Sequence, residues 1–264
     1  MIFSKEDLLP SRDKESYSIQ AVENALDVLE ALSEGDEEVR ISQLSEKLSM
    51  NKTSVFRLLA TFENRGYVEK EPDTGKYRLG LSAYEIAQKF LSRMELLRHA
   101  RPVMEHLARE CNEAIYLVMR RQQEALFIDL ADVTQQVKIV SLTGKRYPLA
   151  ETAAGHVILS FGNREQMAAG TDDSLISAEQ IMDAQKQGFC ADNNALGEGI
   201  VSIAAPLLGA AGKLHGALCI VGPAYRLPDH SLEKNFLPQL LEACRVISSK
   251  LGWHSHFPSS NRFA

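Results

Sequence analysis

The chain has 264 residues, 45% of them hydrophobic, enough to fill the cores of two ordinary domains. Its formal net charge of -6 excludes a uniformly basic coat for nucleic acid, and its four cysteines, Cys111, Cys190, Cys219 and Cys244, are too widely spaced for a disulfide framework or a zinc cluster. No stretch approaches the ~20 apolar residues of a membrane span and the start, MIFSKEDLLPSRDKES, lacks an apolar signal core, so no membrane partner and a cytoplasmic location are expected.

Residues 1–16 are polar and bury little, which predicts a flexible tail. From Ser18 onward Ile19, Val22, Leu26, Leu29 and Leu32 recur at helical spacing as far as Gly35, predicting a first helix with the serine as its N-cap. Ile41, Leu44 and Leu48 form a second, shorter apolar stripe, and Val55, Leu58, Leu59 and Phe62 a third. Between these two stripes Ser49-Met50-Asn51 makes a tight turn, with Asn51 placed to cap a helix that begins at about Lys52. Gly66 suits the C-terminal end of that helix. Beyond it Tyr67–Lys70 and Lys76–Leu79 alternate around Pro72-Asp73-Thr74-Gly75, a hairpin.

Three helices followed by a hairpin describe a winged helix-turn-helix, whose second motif helix enters the major groove of duplex DNA. With Val55, Leu58 and Leu59 turned inward, Lys52, Thr53, Ser54 and Arg57 are left on the outer face of its first turns, and Lys76 or Arg78 of the wing can reach backbone phosphate. Local charge supports this despite the acidic total. Between Val39 and Val68, Arg40, Lys47, Lys52, Arg57 and Arg65 outweigh Glu46 and Glu63 by three charges. Two positions depart from the usual pattern: Ser45 stands where the first motif helix commonly packs alanine, and Ser49 where the turn commonly has glycine.

Next come two helices, at 81–92 and 96–111; the first is more apolar than a solvated connector needs and is expected to pack against a partner chain. Strands are expected at 115–120, 125–131 and 137–142, helices at 152–161 and 178–187, strands at 200–208 and 214–221 around a glycine turn, and a last helix at 231–251. That mixture reads as an α+β sensor-like domain, with helices on one side of an antiparallel sheet. Cys219 and Cys244 fall on apolar faces and are expected in the core. There is no GxSxG elbow, Walker loop or HExxH, so no enzyme activity, catalytic residue, cofactor or metal is expected.

ALDVL at 25–29, TSVFRLLAT at 53–61, RGYV at 65–68 and YRLG at 77–80 resemble the IclR-type bacterial transcriptional regulators. So do PLAETAAG at 148–155, QGF at 187–189, DNN at 192–194 and GIVSIAAP at 199–206, and the likeness runs from about residue 18 to 251. The resemblance implies a flexible tail at 1–16, a winged helix-turn-helix domain at 17–80, a linker helix at 81–94, a GAF-like effector-binding domain at 95–252 and a tail at 253–264. It also implies a homodimer or homotetramer on double-stranded operator DNA, responding to a small organic effector, often a carboxylate. Carried over by position, the effector site comprises Ala153 and Ala154 at a helix start, Asp192 in a loop, Ile200 and Ser202 on the following strand, and Ile139 and Tyr147 as apolar lining. Free N–H groups at a helix start give a carboxylate a physical reason to bind there. Asp192 would accept a hydrogen bond from a ligand hydroxyl. Ligand ordering of residues 192–202 would then alter the spacing of two reading heads that must meet half-sites about one helical turn, ~34 Å, apart.

Overall fold

The computed structural model describes residues 18–34, 38–162, 176–228 and 232–254. The tail at 1–16, the helix stop at Gly35, Ser231 and residues 255–264 lie outside them. After Arg93 the chain divides into two compact units, each with its own core.

In the first unit α1 (Gln20–Glu34), α2 (Ile41–Lys47) and α3 (Lys52–Asn64) enclose Val28, Ala31, Leu32, Leu44, Val55 and Leu59. The buried stripe of α1 differs from the expected one. Val28, Ala31 and Leu32 face inward, whereas Ile19, Val22 and Leu26 are half exposed or more. The helix carries two apolar stripes, and the small core takes one. Nor is Ser18 a cap: its hydroxyl donates to Glu23, and the Val22 and Glu23 N–H groups go to the Ile19 carbonyl.

The motif turn is built as the sequence suggests, with both serines accounted for. Asn51 caps α3 by accepting the Ser54 N–H at 2.8 Å. Ser49 takes the left-handed conformation, φ 52°, that glycine would adopt more cheaply. The Ser45 hydroxyl donates to the Met50 carbonyl at 2.5 Å, a contact across the turn that alanine cannot make. The wing follows as β1 (Val68–Lys70) and β2 (Tyr77–Leu79), antiparallel, with buried Tyr77 also bridging to Val39. Then α4 (Leu81–Leu91) begins against the base of the wing, with none of its residues buried. Leu81, Tyr84, Ile86 and Phe90 are all more than half exposed.

The second unit is a six-stranded antiparallel sheet, order β5-β4-β3-β8-β7-β6, covered by helices. Its elements in chain order are α5 (Glu95–Cys111), β3 (Ala114–Arg121), β4 (Glu124–Ala131), β5 (Arg146–Pro148), α6 (Ala153–Phe161), α7 (Ala178–Gln187), β6 (Cys190–Asn193), β7 (Ile200–Leu208), β8 (Leu214–Pro223) and α8 (Leu237–Lys250). Helices cover both faces of the sheet, not one as expected. On β7, Val201, Ile203 and Ala205 join the cluster that includes Leu107 of α5 and Leu240 of α8, while Ala204 packs in a second cluster with Val157 and Ile158 of α6. The period of two along β7 makes this necessary, because its near-continuous apolar run is buried on both sides. Cys219 and Cys244 are core residues as predicted.

Three further expectations are corrected. Residues 137–142 form no strand; their chain crosses as an irregular segment, and the sheet edge is β5 instead. Residues 190–193, read as loop, form the opposite edge strand. The last helix proper begins at Leu237, after a single π turn at Leu232–Phe236.

Candidate nucleic-acid interface and effector site

The sequence of α3 dictates what its outer surface offers. Val55 and Leu59 are fully buried, so Lys52, Thr53 and Arg57 are exposed and Ser54 is half-buried beside them. Neither Lys52 nor Arg57 forms an ion pair among the described residues, which leaves both cations available to DNA. The wing cations are engaged differently. Lys76 lies 3.7 Å from Glu38 and Arg78 donates to Glu69 at 3.0 Å, so a phosphate contact by either must compete with a carboxylate. An open groove of about 580 Å³ runs between the start of α3, the start of α2 and the tip of the wing. Arg40, Ser42 and Phe56 line it in addition to Lys52 and Thr53. From sequence Arg40 entered only as one of the positive charges between Val39 and Val68, and the other two were not singled out: Ser42 sits at the start of a helix read for its apolar stripe, and Phe56 falls beside the Val55 stripe rather than on it.

In the second unit the local sequence places a carboxylate against a helix start. Thr152 caps α6 by accepting the Gly155 N–H at 3.0 Å. Gly155 is needed because a Cβ there would stand 2.1 Å from the Leu149 carbonyl oxygen. Asp192 of β6 and Ser202 of β7 are register partners, so their side chains project from the same face, the one α6 covers. The Asp192 Oδ2 accepts both the Ala153 N–H and the Ser202 hydroxyl, each at 2.6 Å. Its Oδ1 is buried without a hydrogen bond of regular geometry.

This corrects the idea of an open helix start. The Ala153 N–H is held by the protein's own carboxylate and that of Gly155 by Thr152; only the Ala154 N–H of this first turn carries no hydrogen bond among the described residues. Burial pushes the Asp192 carboxyl above the usual carboxylate range, against the opposing effects of the Ser202 and Ala153 hydrogen bonds, the nearby His156 and a backbone hydrogen bond from Ala195. His156 itself meets the Ala150 carbonyl through Nε2 at 2.7 Å.

The expected apolar lining gathers on the same face. Ile139, Tyr147, Ala153, Ala154 and Ile200 all belong to the cluster around α6. Tyr116, Phe127 and Tyr147 form a ladder of edge-on rings across β3, β4 and β5, with centroids 5.4 and 5.6 Å apart, and the Tyr116 hydroxyl accepts the Leu142 N–H. Of this ladder only Tyr147 was picked out from sequence. The segment carrying Ile139 is fastened by a second motif that sequence reading missed. Arg226 makes a two-pronged ion pair with Glu113, which is 3% exposed, and donates to the Val137 carbonyl at 2.9 Å. Burial raises the thiols of Cys111 and Cys190 to about 11 and about 12, so both are protonated and unreactive at neutral pH.

A winged helix with an exposed, partly cationic reading helix, joined to an α+β domain with a buried polar centre, defines a DNA-binding regulator with a separate sensory domain. The family comparisons agree along the chain. Residues 21–72 match the IclR helix-turn-helix domain, and residues 88–249 match the bacterial transcriptional regulator IclR C-terminal model. The chain belongs to the IclR family of DNA-binding transcriptional regulators, which are not enzymes. It is 29% identical over 257 residues to the HTH-type transcriptional regulator KdgR of Escherichia coli (strain K12), covering 92% of this chain and 97% of that one. It is 30% identical over 226 residues to the regulator KipR of Bacillus subtilis (strain 168), covering 81% and 90%. Among solved structures, an IclR transcriptional regulator from Alicyclobacillus acidocaldarius shares the fold with a TM-score of 0.76 at 22% identity, covering 89% of this chain and all of that one. An IclR homolog from Microbacterium hydrocarbonoxydans, complexed with 4-hydroxybenzoate, does so with a TM-score of 0.72 at 20% identity, covering 88% and 98%. No described helix is long and apolar enough to cross a membrane.

Proposed function

We propose that this regulator binds operator DNA through Lys52, Thr53, Ser54 and Arg57 of α3, with Lys76 and Arg78 of the wing on phosphate, and that its second unit senses a small hydroxylated organic acid. The observation that carries the sensing is Asp192. Its carboxyl is buried against Ser202 and the first turn of α6, where the Ala154 N–H is unengaged, and its Oδ1 has no hydrogen bond of regular geometry, the Ala195 N–H being the remaining backbone donor that acts on the carboxyl. A buried acceptor held only by a hydrogen bond of poor geometry costs free energy that a ligand hydroxyl would recover. The acid group of the same ligand is suited to the helix start, and Ile139, Tyr147 and Ile200 supply apolar cover. The solved relative holding 4-hydroxybenzoate, a hydroxyl and a carboxylate on an apolar ring, supports this class.

The functional unit is a homodimer or homotetramer acting in the cytoplasm, where the operator is. Exposed apolar stripes on α1 (Val22, Leu26) and α4 (Tyr84, Phe90) support self-association. A thermal-shift screen of small hydroxy acids, aromatic acids and sugar acids against the full chain, followed by DNA-shift titration of the hits, tests the reading. The expected result is an acid that both raises the melting temperature and changes the fraction of operator bound. A chain that binds operator but responds to no such acid would leave the sensing half without support.

A further inference from the structure

Phe56 is 51% exposed on α3, although Val55, Leu58, Leu59 and Phe62 already supply the stripe that packs into the core. Successive residues of a helix turn by about 100°, which puts Phe56 off the buried stripe and on the open side. There it lines the groove with Lys52, Thr53 and Arg40. No acidic residue among those described lines that groove, so it is locally cationic in a chain that is anionic as a whole.

We propose that Phe56 is a specificity-determining residue whose ring contacts the 5-methyl group of thymine in the operator's major groove. The second helix of this motif brings its first turns to the base edges, and Phe56 is the fifth residue of α3, between Thr53 and Arg57. A phenyl ring offers no hydrogen bond, so neither phosphates nor the donors and acceptors of the base edges give it a better partner than water. The apolar group that a major groove presents is the thymine methyl. Burying the ring against that methyl removes apolar surface from water on both sides. Arg57, the next residue, supplies the hydrogen-bonding part of the reading. The inference rests on the assignment of α3 as the reading helix and adds to it the chemistry of one recognised base.

The test uses the full chain and a pool of random duplexes, from which wild type, Phe56→Ala and Phe56→Leu each select binding sites. Wild type is expected to enrich a motif with a fixed thymine in each half-site. Replacing that thymine by uracil, which lacks only the methyl, should weaken wild type by roughly three- to tenfold. Phe56→Ala should bind the thymine and uracil duplexes equally, and Phe56→Leu should keep part of the difference. Circular dichroism melts establish that each variant is folded. A motif whose thymines can all be replaced by uracil without loss overturns the proposal. So does a Phe56→Ala variant that is weaker on both duplexes yet keeps the wild-type preference, which would assign the ring to the sugar backbone. Failure of wild type to enrich any sequence would remove the reading helix itself, and Phe56 with it.

Discussion

Replacing Asp192 by alanine and by asparagine separates its charge from its geometry. In the folded chain its Oδ2 holds the Ala153 N–H and the Ser202 hydroxyl, each at 2.6 Å, next to a serine that is 1% exposed. Hydrogen bonds to a charged group contribute about 1.5–3 kcal/mol each. Asp192→Ala removes both and strands the two donors, but it also removes a buried charge whose burial outweighs those bonds in setting the proton affinity. The net loss should be about 1–3 kcal/mol. Asp192→Asn keeps an acceptor for the Ala153 and Ser202 donors and removes the charge; its stability at pH 7 should fall within about 1 kcal/mol of wild type.

The pH dependence has a definite sign. A carboxyl whose folded value is raised stabilises the fold fully below the ordinary value of about 3.9, and loses that contribution as pH rises through the shifted value. The stability of wild type relative to Asp192→Asn should therefore decline from pH 4 toward neutrality. Urea unfolding of the full chain at several pH values measures this, with the difference between the two proteins cancelling the other titrating groups. Asparagine as costly as alanine at pH 7, or a relative stability that rises with pH, would refute the reasoning. Both variants should lose the response to effector while retaining operator binding, since each removes the acceptor at Oδ1.

Arg226→Ala leaves Glu113 buried without its partner, and should destabilise the second unit by about 3 kcal/mol, roughly 6–12 °C in its melting transition. Because Arg226 also holds the Val137 carbonyl beside the segment carrying Ile139, effector affinity measured by calorimetry should fall with it. Gly155→Ala should cost at least about 2 kcal/mol in the same melt, because its Cβ meets the Leu149 backbone at 2.1 Å. Gly144→Ala is the control: its Cβ meets nothing within 4 Å, and only the strain of φ 82° remains, about 1–2 kcal/mol.

Where local signals acted alone, the sequence was readable. Asn51 caps the helix it was expected to cap, and the β7–β8 hairpin lies where its glycine turn put it. Outcomes decided by competition between surfaces were not. The α1 helix offers two apolar stripes, and only the packing of α2 and α3 selects the one buried. Helices on both faces of the sheet follow from the unbroken apolar run of β7, a pattern that periodicity alone cannot tell from a buried helix. The proposed effector residues Ala153, Asp192 and Ser202 rest on the resemblance. That Asp192 occupies the helix start itself depends on β6 pairing with β7, and Ala191 to Asn194 carry stronger turn signals than strand signals. Phe56, Ser42 and the Glu113–Arg226 pair were missed because each draws its meaning from neighbours distant in sequence or from a surface, not from a motif.

The central claim is that the first turns of α3 read DNA, and Arg57 tests it most directly. Fluorescence anisotropy should compare wild type and Arg57→Ala on a duplex selected by wild type and on a scrambled duplex of the same composition, over a range of salt. Arg57→Ala should lose about 1–3 kcal/mol on the selected duplex and less on the scrambled duplex. Equal affinity of the two proteins for the selected duplex would contradict it.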